Sequence, residues 1–334
     1  MQISTRIGNI ENHRTYTHIL HLIEEYLSDM GYLHIKAPLL SPVLIPESYL
    51  EIFKTEFVYP RQKTELYLIP SSELFLKRLI SQDIGSCFSL DKSFRNSEPS
   101  TAKHSHEFMM LEFYKVGGDY FDVAKDTLSL MRFISNKLYN KNTIKYKDHE
   151  IDLSEWEKIT VAGAFKKYAQ VKDIFNEEAF IAEAKKKGYA TVGMSYVDLW
   201  SQIYSYEVEP HLGTNGKPTI IYEYPRALSA TAKYDPIMNV CERLEIYICG
   251  IELGNCGNAG SPDMNMDELK NTFENDIVQR NKNGMIEHKA DYSFLDVVKA
   301  LPQCAGIAIG VERLAMVMAN LSSISQLQLI EVEK

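Results

Sequence analysis

Two strand-like runs, residues 87–90 and 107–114, flank the polar stretch 91–106 and read as an antiparallel hairpin with a long tip, the feature that most constrains the fold. In the second run Phe108, Met110, Glu112 and Tyr114 share one face, and Met109, Leu111 and Phe113 share the other. The apolar trio marks the core side, which leaves Phe108 and Glu112 facing a cleft. Hairpin connections recur downstream: strands at 219–224 and 243–249 are followed by Gly250, which turns the chain into a further strand at 251–253. Helical periods gather in blocks instead of alternating with strands. The pattern is α+β, an antiparallel sheet flanked by helices, and not a doubly wound fold. Neither GxGxxG nor a Walker sequence is present, so a nucleotide would have to be held in another way.

The remaining segments fit this frame. Residues 14–30 place Ile19, Ile23, Tyr26, Leu27 and Met30 on one helical face, and Gly31 follows where a left-handed cap would stop the helix. Residues 34–40 read as a short edge strand, because Pro38 cannot donate to a ladder; such an edge suits a subunit contact. A strand at 66–69 precedes a helix at 73–80, capped by Ser71 or Ser72, with Leu76, Leu79 and Ile80 facing inward. Residues 121–139, 161–168, 177–187 and 196–207 are helical in period, so 120–210 reads as a mostly helical insertion within a single domain spanning 1–334. A loop at 211–218 returns the chain to strands, and a strand at 306–310 runs into a terminal helix at 311–320.

Composition excludes several classes. With 36 Lys and Arg against 45 Asp and Glu the net charge is −9, which weighs against tRNA as a partner without excluding a local basic patch. The five cysteines are odd in number and lack CxxC spacing, so a disulfide framework or thiolate zinc site is not expected and a reducing cytoplasm suits the chain. The apolar stretch 244–253 is broken by Glu245 and Glu252, and Arg6, Glu11 and Arg14 stand where a signal segment would be apolar. No membrane span or export signal is expected.

Three groups of residues carry chemistry. The hairpin tip gathers Arg95, Glu98, His104 and His106 beside Phe108: a cation for phosphate or carboxylate, and a ring able to stack on a purine. Charged hairpin tips are also common as plain solvated surface. Second, a turn near Cys249 and Gly250 is expected to bring Glu245 and Glu252 nearly opposite one another. Opposed carboxylates repel by ~0.2–1 kcal/mol unless a cation such as phosphate-bridging Mg2+ lies between them. Third, Gly306-Ile307-Ala308-Ile309-Gly310-Val311-Glu312-Arg313 is a strand meeting a helix at glycine. Gly310 permits close backbone approach, and Arg313 can project over a base or phosphate.

In this order, after a strand ending at Pro38, these groups resemble the signature motifs of class II aminoacyl-tRNA synthetases. The segments Ser72-Glu73-Leu74-Phe75-Leu76-Lys77-Arg78-Leu79, Glu107-Phe108-Met109-Met110-Leu111-Glu112-Phe113-Tyr114 and Gly250-Ile251-Glu252-Leu253 are similar to the lysyl-tRNA synthetase branch. Within that branch the chain most resembles the truncated paralogues that ligate β-lysine to elongation factor P, over essentially its whole length and with no anticodon-binding barrel ahead of it. The resemblance implies an ATP-dependent ligase that activates lysine or β-lysine as an adenylate and transfers it to a protein lysine. It implies that Arg95 binds the α-phosphate and the substrate carboxylate, Glu98 the adenine amino group and His104 the outer phosphates. Phe108 and Arg313 would sandwich the adenine over Gly310, Glu245 and Glu252 would hold Mg2+, and Glu73, Glu112 and Asn255 would contact the amino acid. A homodimer through the first helix and the Pro38 strand is implied as well.

The pattern breaks after Glu252. Relatives read approximately Ala-Asn-Gly-Phe-x-Glu-Leu-x-Asp there, whereas this chain has Gly254-Asn255-Cys256-Gly257-Asn258-Ala259-Gly260-Ser261-Pro262-Asp263. Asn255 is kept, but the glutamate for a distal ammonium is not. An unpaired buried ammonium costs several kcal/mol, so L-lysine is expected to be a poor substrate unless another acid, Asp263 or Glu47, reaches the same space. The tip 99–103 is also one residue longer and poorer in arginine, with Lys103 a replacement charge. Two other functions stay open: an adenylating ligase for a different amino acid, loading tRNA, a carrier protein or a small molecule, and a non-catalytic paralogue that binds ATP or an amino acid as a sensor.

Overall fold

The computed structural model describes residues 2–97, 100–228, 232–260 and 266–333. The helices that position the site are α1 (Ile10–Asp29), α2 (Glu73–Ile80), α3 (Tyr120–Tyr139), α4 (Tyr196–Ile203), α5 (Met266–Lys282) and α6 (Val311–Met318). The main sheet is built from β1 (Leu33–His34), β2 (Cys87–Phe94), β3 (Glu107–Val116), β4 (Glu157–Thr160), β5 (Thr219–Tyr224), β6 (Val240–Ile248), β7 (Ile251–Gly260) and β8 (Cys304–Gly310). Their spatial order is β4-β5-β6-β7-β8-β3-β2-β1, and the short strand Tyr234–Asp235 pairs onto β6. All inner pairings are antiparallel, as the hairpins require, while the edge pairs β4 with β5 and β1 with β2 are parallel.

The alternation in β3 sorts the two faces of the sheet. Leu111 and Phe113 are fully buried beside Ile307 and Ile309 of β8, under α1, α3 and α6. Each such apolar side chain stabilises the fold by about 1.5–3 kcal/mol relative to exposure. Within that layer Glu312 of α6 accepts from the Tyr16 hydroxyl at 2.9 Å and from the Met109 backbone N–H at 3.0 Å, joining α1, α6 and β3. The opposite face carries Met110, Glu112 and Tyr114 and is free to form a cavity. Gly306 of β8 belongs to this face. A Cβ there would lie 2.7 Å from Tyr114 Cζ and nearer still to Cδ1 and Cε1, so only glycine lets the ring lie flat on the strand.

Several expectations need correction. Helix α1 starts before residue 14, and Met30 caps it from an exposed position instead of facing inward; Gly31 does take the left-handed conformation, at φ +85°. Residues 34–40 are not one strand, because only Leu33–His34 and Leu40–Ser41 pair and the Pro38 region between them is irregular. The block 120–210 is interrupted by the strands Thr143–Tyr146, His149–Asp152 and β4, the last of which joins the main sheet. An exposed hairpin, Phe53–Tyr59 with Gln62–Leu68, contains the expected 66–69 strand. Ser72 occupies the α2 cap position without capping; it is Ser71 Oγ that accepts, at 3.0 Å, from the Glu73 N–H.

Candidate active site

On the open face of the sheet lies a cavity of about 900 Å³, walled by Met110, Glu112 and Tyr114 of β3, Asn255 of β7, Arg95 and Glu73. The far wall comes from the insertion: Val197 and Ser201 of α4. Beside it is a smaller cleft lined by Lys103, His104, Phe108, Gly310 and Arg313. Arg95 links the two, since it lines the large cavity while its guanidinium sits 5.4 Å from the centre of the Phe108 ring. His104, Phe108, Gly310 and Arg313, expected to bind ATP, thus line the smaller cleft, while Glu73, Glu112 and Asn255, expected to bind the amino acid, line the large cavity. Glu98 and Asp263 lie outside the described residues.

Each acid in the cavity is held differently. Glu112 is buried and accepts from Ser71 Oγ at 2.7 Å, the Ser72 N–H at 3.0 Å, Ser72 Oγ at 2.9 Å and the Tyr114 hydroxyl at 2.9 Å. Burial, then the neighbouring Glu73, push its carboxyl above the usual range against the pull of these donors. Glu73 forms an ion pair one helical turn along with the buried Lys77. Glu47 opens into the same cavity with its side chain exposed there, and partial desolvation by the cavity walls pushes its carboxyl up to about 7; Arg95 opposes that shift and Glu73 reinforces it.

The two glutamates expected to lie opposite one another do not. A bulge between Ile246 and Tyr247 sets Glu245 across from Asn255 and Glu252 across from Tyr247. They remain diagonal neighbours on one face, because Tyr247 lies two residues along β6 from Glu245. Glu245 is nearly buried and accepts from Arg243 Nη2 at 2.6 Å and from the Tyr247 hydroxyl at 2.8 Å, with the Tyr204 hydroxyl 3.3 Å away. Arg243 also donates through Nε to Asn255 Oδ1 at 3.0 Å, and its guanidinium lies 4.4 Å from the Tyr224 ring centre. Glu252 takes Arg313 Nη1 at 3.3 Å, and the same nitrogen donates to the Glu252 carbonyl at 2.9 Å.

Sequence reading missed Glu209, Arg243 and Tyr204. Burial raises the Glu209 carboxyl, Lys103 and Arg313 lower it, and Glu252 and Glu245 raise it further, so three acids crowd together. Burial likewise raises Glu245, offset by Arg243 and reinforced by Glu252. Lys103 leans in from the hairpin tip, 3.4 Å from the Gly250 carbonyl. Arg243 had a legible signal, two residues before Glu245 on the same strand face. Glu209 and Tyr204 had none, for they arrive from the end of the insertion.

Among the described residues no three His, Cys, Asp or Glu side chains are grouped so as to chelate a metal by themselves. The donor set nevertheless fits Mg2+, which is usually held by one or two carboxylates together with substrate phosphates. The five cysteines are free thiols, and no described helix is long and apolar enough to cross a membrane.

A family model described as tRNA synthetases class II (D, K and N) matches residues 6–330. Similar curated proteins include an elongation factor P–(R)-β-lysine ligase from Avibacterium paragallinarum, 31% identical over 318 residues, covering 93% of this chain and 92% of the relative. The protein of the same name from Pectobacterium carotovorum subsp. carotovorum (strain PC1) is 29% identical over 325 residues, 95% of this chain and 93% of its own. That from Salmonella paratyphi B is 29% identical over 320 residues, 93% and 92%.

Proposed function

The chain belongs to the class II tRNA synthetases of the D, K and N type, as a synthetase-like ligase, and from that premise we propose that it activates an amino acid of the lysine or β-lysine type with ATP. The acyl group then passes to a protein lysine, as the name of the elongation factor P ligases describes for those relatives. The observation that supports this most is that Arg95 lines the large cavity and also lies 5.4 Å from the ring centre of Phe108, which lines the smaller cleft.

In the first step a substrate carboxylate oxygen bonds to the α-phosphorus as the bond to the bridging oxygen breaks and pyrophosphate leaves. Arg95 orients both reactants and offsets the charge that grows on the α-phosphate, which lowers the barrier through positioning and fixed electrostatics. Phe108 and Arg313 flank the adenine over Gly310, His104 meets the outer phosphates, and Glu98 takes the adenine amino group. Glu245 and Glu252 would hold Mg2+, whose charge offsets that of the phosphates. Glu73, Glu112 and Asn255 receive the amino acid. In the second step the acceptor amine attacks the carbonyl carbon, AMP leaves, and the amine gives up a proton.

We read the chain as a single catalytic domain that works in the cytoplasm as a homodimer. Leu33, Leu39 and Leu40, exposed around Pro38, suit the subunit contact. A net charge of −9 disfavours tRNA as acceptor. One observation favours a second reading, activation of a different amino acid: Cys256, Gly257, Asn258 and Ala259 line the cavity without a carboxylate. Pyrophosphate exchange screened across α- and β-amino acids separates the two.

A further inference from the structure

Five acids face the amino-acid cavity, and four have partners: Glu73 with Lys77, Glu112 with its four donors, Asp198 with the Ser195 hydroxyl at 2.6 Å, and Asp276 with Ser48. Glu47 is the exception. Its carboxylate forms no hydrogen bond or ion pair with the described residues, although Arg95 acts on it electrostatically. Nor is Glu47 on a slack loop. Arg280 of α5, 3% exposed, donates to the Glu47 carbonyl at 2.9 Å, to the Leu50 carbonyl, to the Ile286 carbonyl at 2.9 Å and to Glu51 Oε1 at 3.1 Å. Asp276, one turn earlier on α5, holds Ser48. The backbone is clamped from behind, so the side chain is presented to the cavity from a fixed point.

The Glu47 side chain is exposed to the open cavity, where a cationic group of a bound molecule can reach it, and the cavity's own cations are committed elsewhere. Lys77 pairs with Glu73 and Arg243 with Glu245, while Arg95 faces both the carboxylate end and the ring of Phe108. We infer that Glu47 is the specificity-determining residue of this cavity, pairing with a second, positively charged amino group on the amino-acid substrate and so selecting diamino over neutral amino acids. The inference rests on the amino-acid-activating reading above. It also places the anionic end of the pocket on the segment preceding the exposed hairpin, and not on the strand β7, where Ala259 stands.

The test is a ratio. Pyrophosphate exchange is measured with length-matched pairs, L-lysine against L-norleucine and (R)-β-lysine against its desamino analogue, for wild type, Glu47→Gln and Glu47→Asp. Wild type should prefer the diamino member, and Glu47→Gln should cut that kcat/KM ratio by at least about tenfold, as expected when a charge-assisted hydrogen bond is lost. Glu47→Asp should restore part of it. A ratio unmoved by Glu47→Gln, or a neutral amino acid preferred by wild type, overturns the assignment. An equal loss for both members also overturns it, because Glu47 would then hold the amino group that every amino acid carries. Calorimetric titration of L-lysine and (R)-β-lysine, without ATP, separates the two claims. If no amino acid supports exchange, the activation reading fails, yet binding by wild type that Glu47→Gln abolishes still supports the role of Glu47, and equal or absent binding ends it. Thermal melts of all variants guard against misfolding.

Discussion

Two glycines of β8 make opposite predictions under the same substitution. In Gly306→Ala the new methyl would overlap the Tyr114 ring, which is buried and tied through its hydroxyl to Glu112 at 2.9 Å. The strand is central and holds the new methyl in place, so Tyr114 must swing toward the cavity it borders and release Glu112. Overpacking costs about 1–3 kcal/mol, and losing a hydrogen bond to a charged group about 1.5–3 kcal/mol. The sum, roughly 2.5–6 kcal/mol, corresponds to a fall in Tm on the order of 5–10 °C. Because Tyr114 and Glu112 wall the cavity proposed for the amino acid, the KM for amino acid should rise even at temperatures where the variant is folded. Gly310→Ala is the control. Gly310 lies at φ −73° and ψ 107°, which alanine adopts freely, and the atoms nearest its new methyl would be those of the Arg313 side chain at 3.6–4.0 Å, ordinary contact distances. Stability should hold or rise by about 0.4–1 kcal/mol. The methyl does project into the cleft of His104 and Phe108, so the KM for ATP should rise about tenfold, or ~1.4 kcal/mol. Differential scanning fluorimetry with steady-state exchange kinetics reads both effects. A Gly306→Ala protein with wild-type Tm and amino-acid KM would refute the packing argument, and an unaltered ATP KM in Gly310→Ala would remove the adenine from that cleft.

Arg313→Ala should weaken ATP binding and slow exchange, since it removes the face over the base and frees Glu252; unchanged exchange would dismiss Arg313 from the site. Amino-acid affinity should improve as pH rises from about 6 to 8, because the Glu47 carboxyl, raised to about 7, loses its proton over that window and only then pairs with a cation. Glu47→Gln should flatten the profile, and an equally steep one would assign the titration elsewhere. Bulk tRNA should bind weakly and with steep salt dependence; submicromolar, salt-resistant binding in a gel-shift titration would contradict the reading of the net charge.

Much of the fold was legible because its strands alternate cleanly. Leu111 and Phe113 against Met110 and Glu112 gave the two faces of β3, and Gly31 gave the end of α1. The hairpin Phe53–Tyr59 with Gln62–Leu68 was not, since it is largely exposed and has little period-two pattern to read. Helix α5 was missed for a related reason: its buried stripe is only Leu269, Phe273 and Arg280. That stripe matters, because Arg280 fixes the segment that presents Glu47. The strands Thr143–Tyr146 and His149–Asp152 turn through Lys147 at φ +55°, a conformation lysine rarely takes and sequence does not announce. Ordered motifs pointed to Arg95, Glu245, Glu252 and Arg313 as candidate site residues and left their pairing unseen. A single extra residue in β7 changed which residues face one another, and a register shift of that kind is invisible to composition and periodicity.

The most direct test of amino-acid activation is exchange of labelled pyrophosphate into ATP by the wild-type chain, with Mg2+, across a panel of α- and β-amino acids. Exchange that depends on one amino acid, is abolished by chelation of Mg2+ and is lost in Arg95→Ala is the predicted result. ATP binding without exchange for any amino acid would contradict it and make the chain a binding module built on a synthetase core.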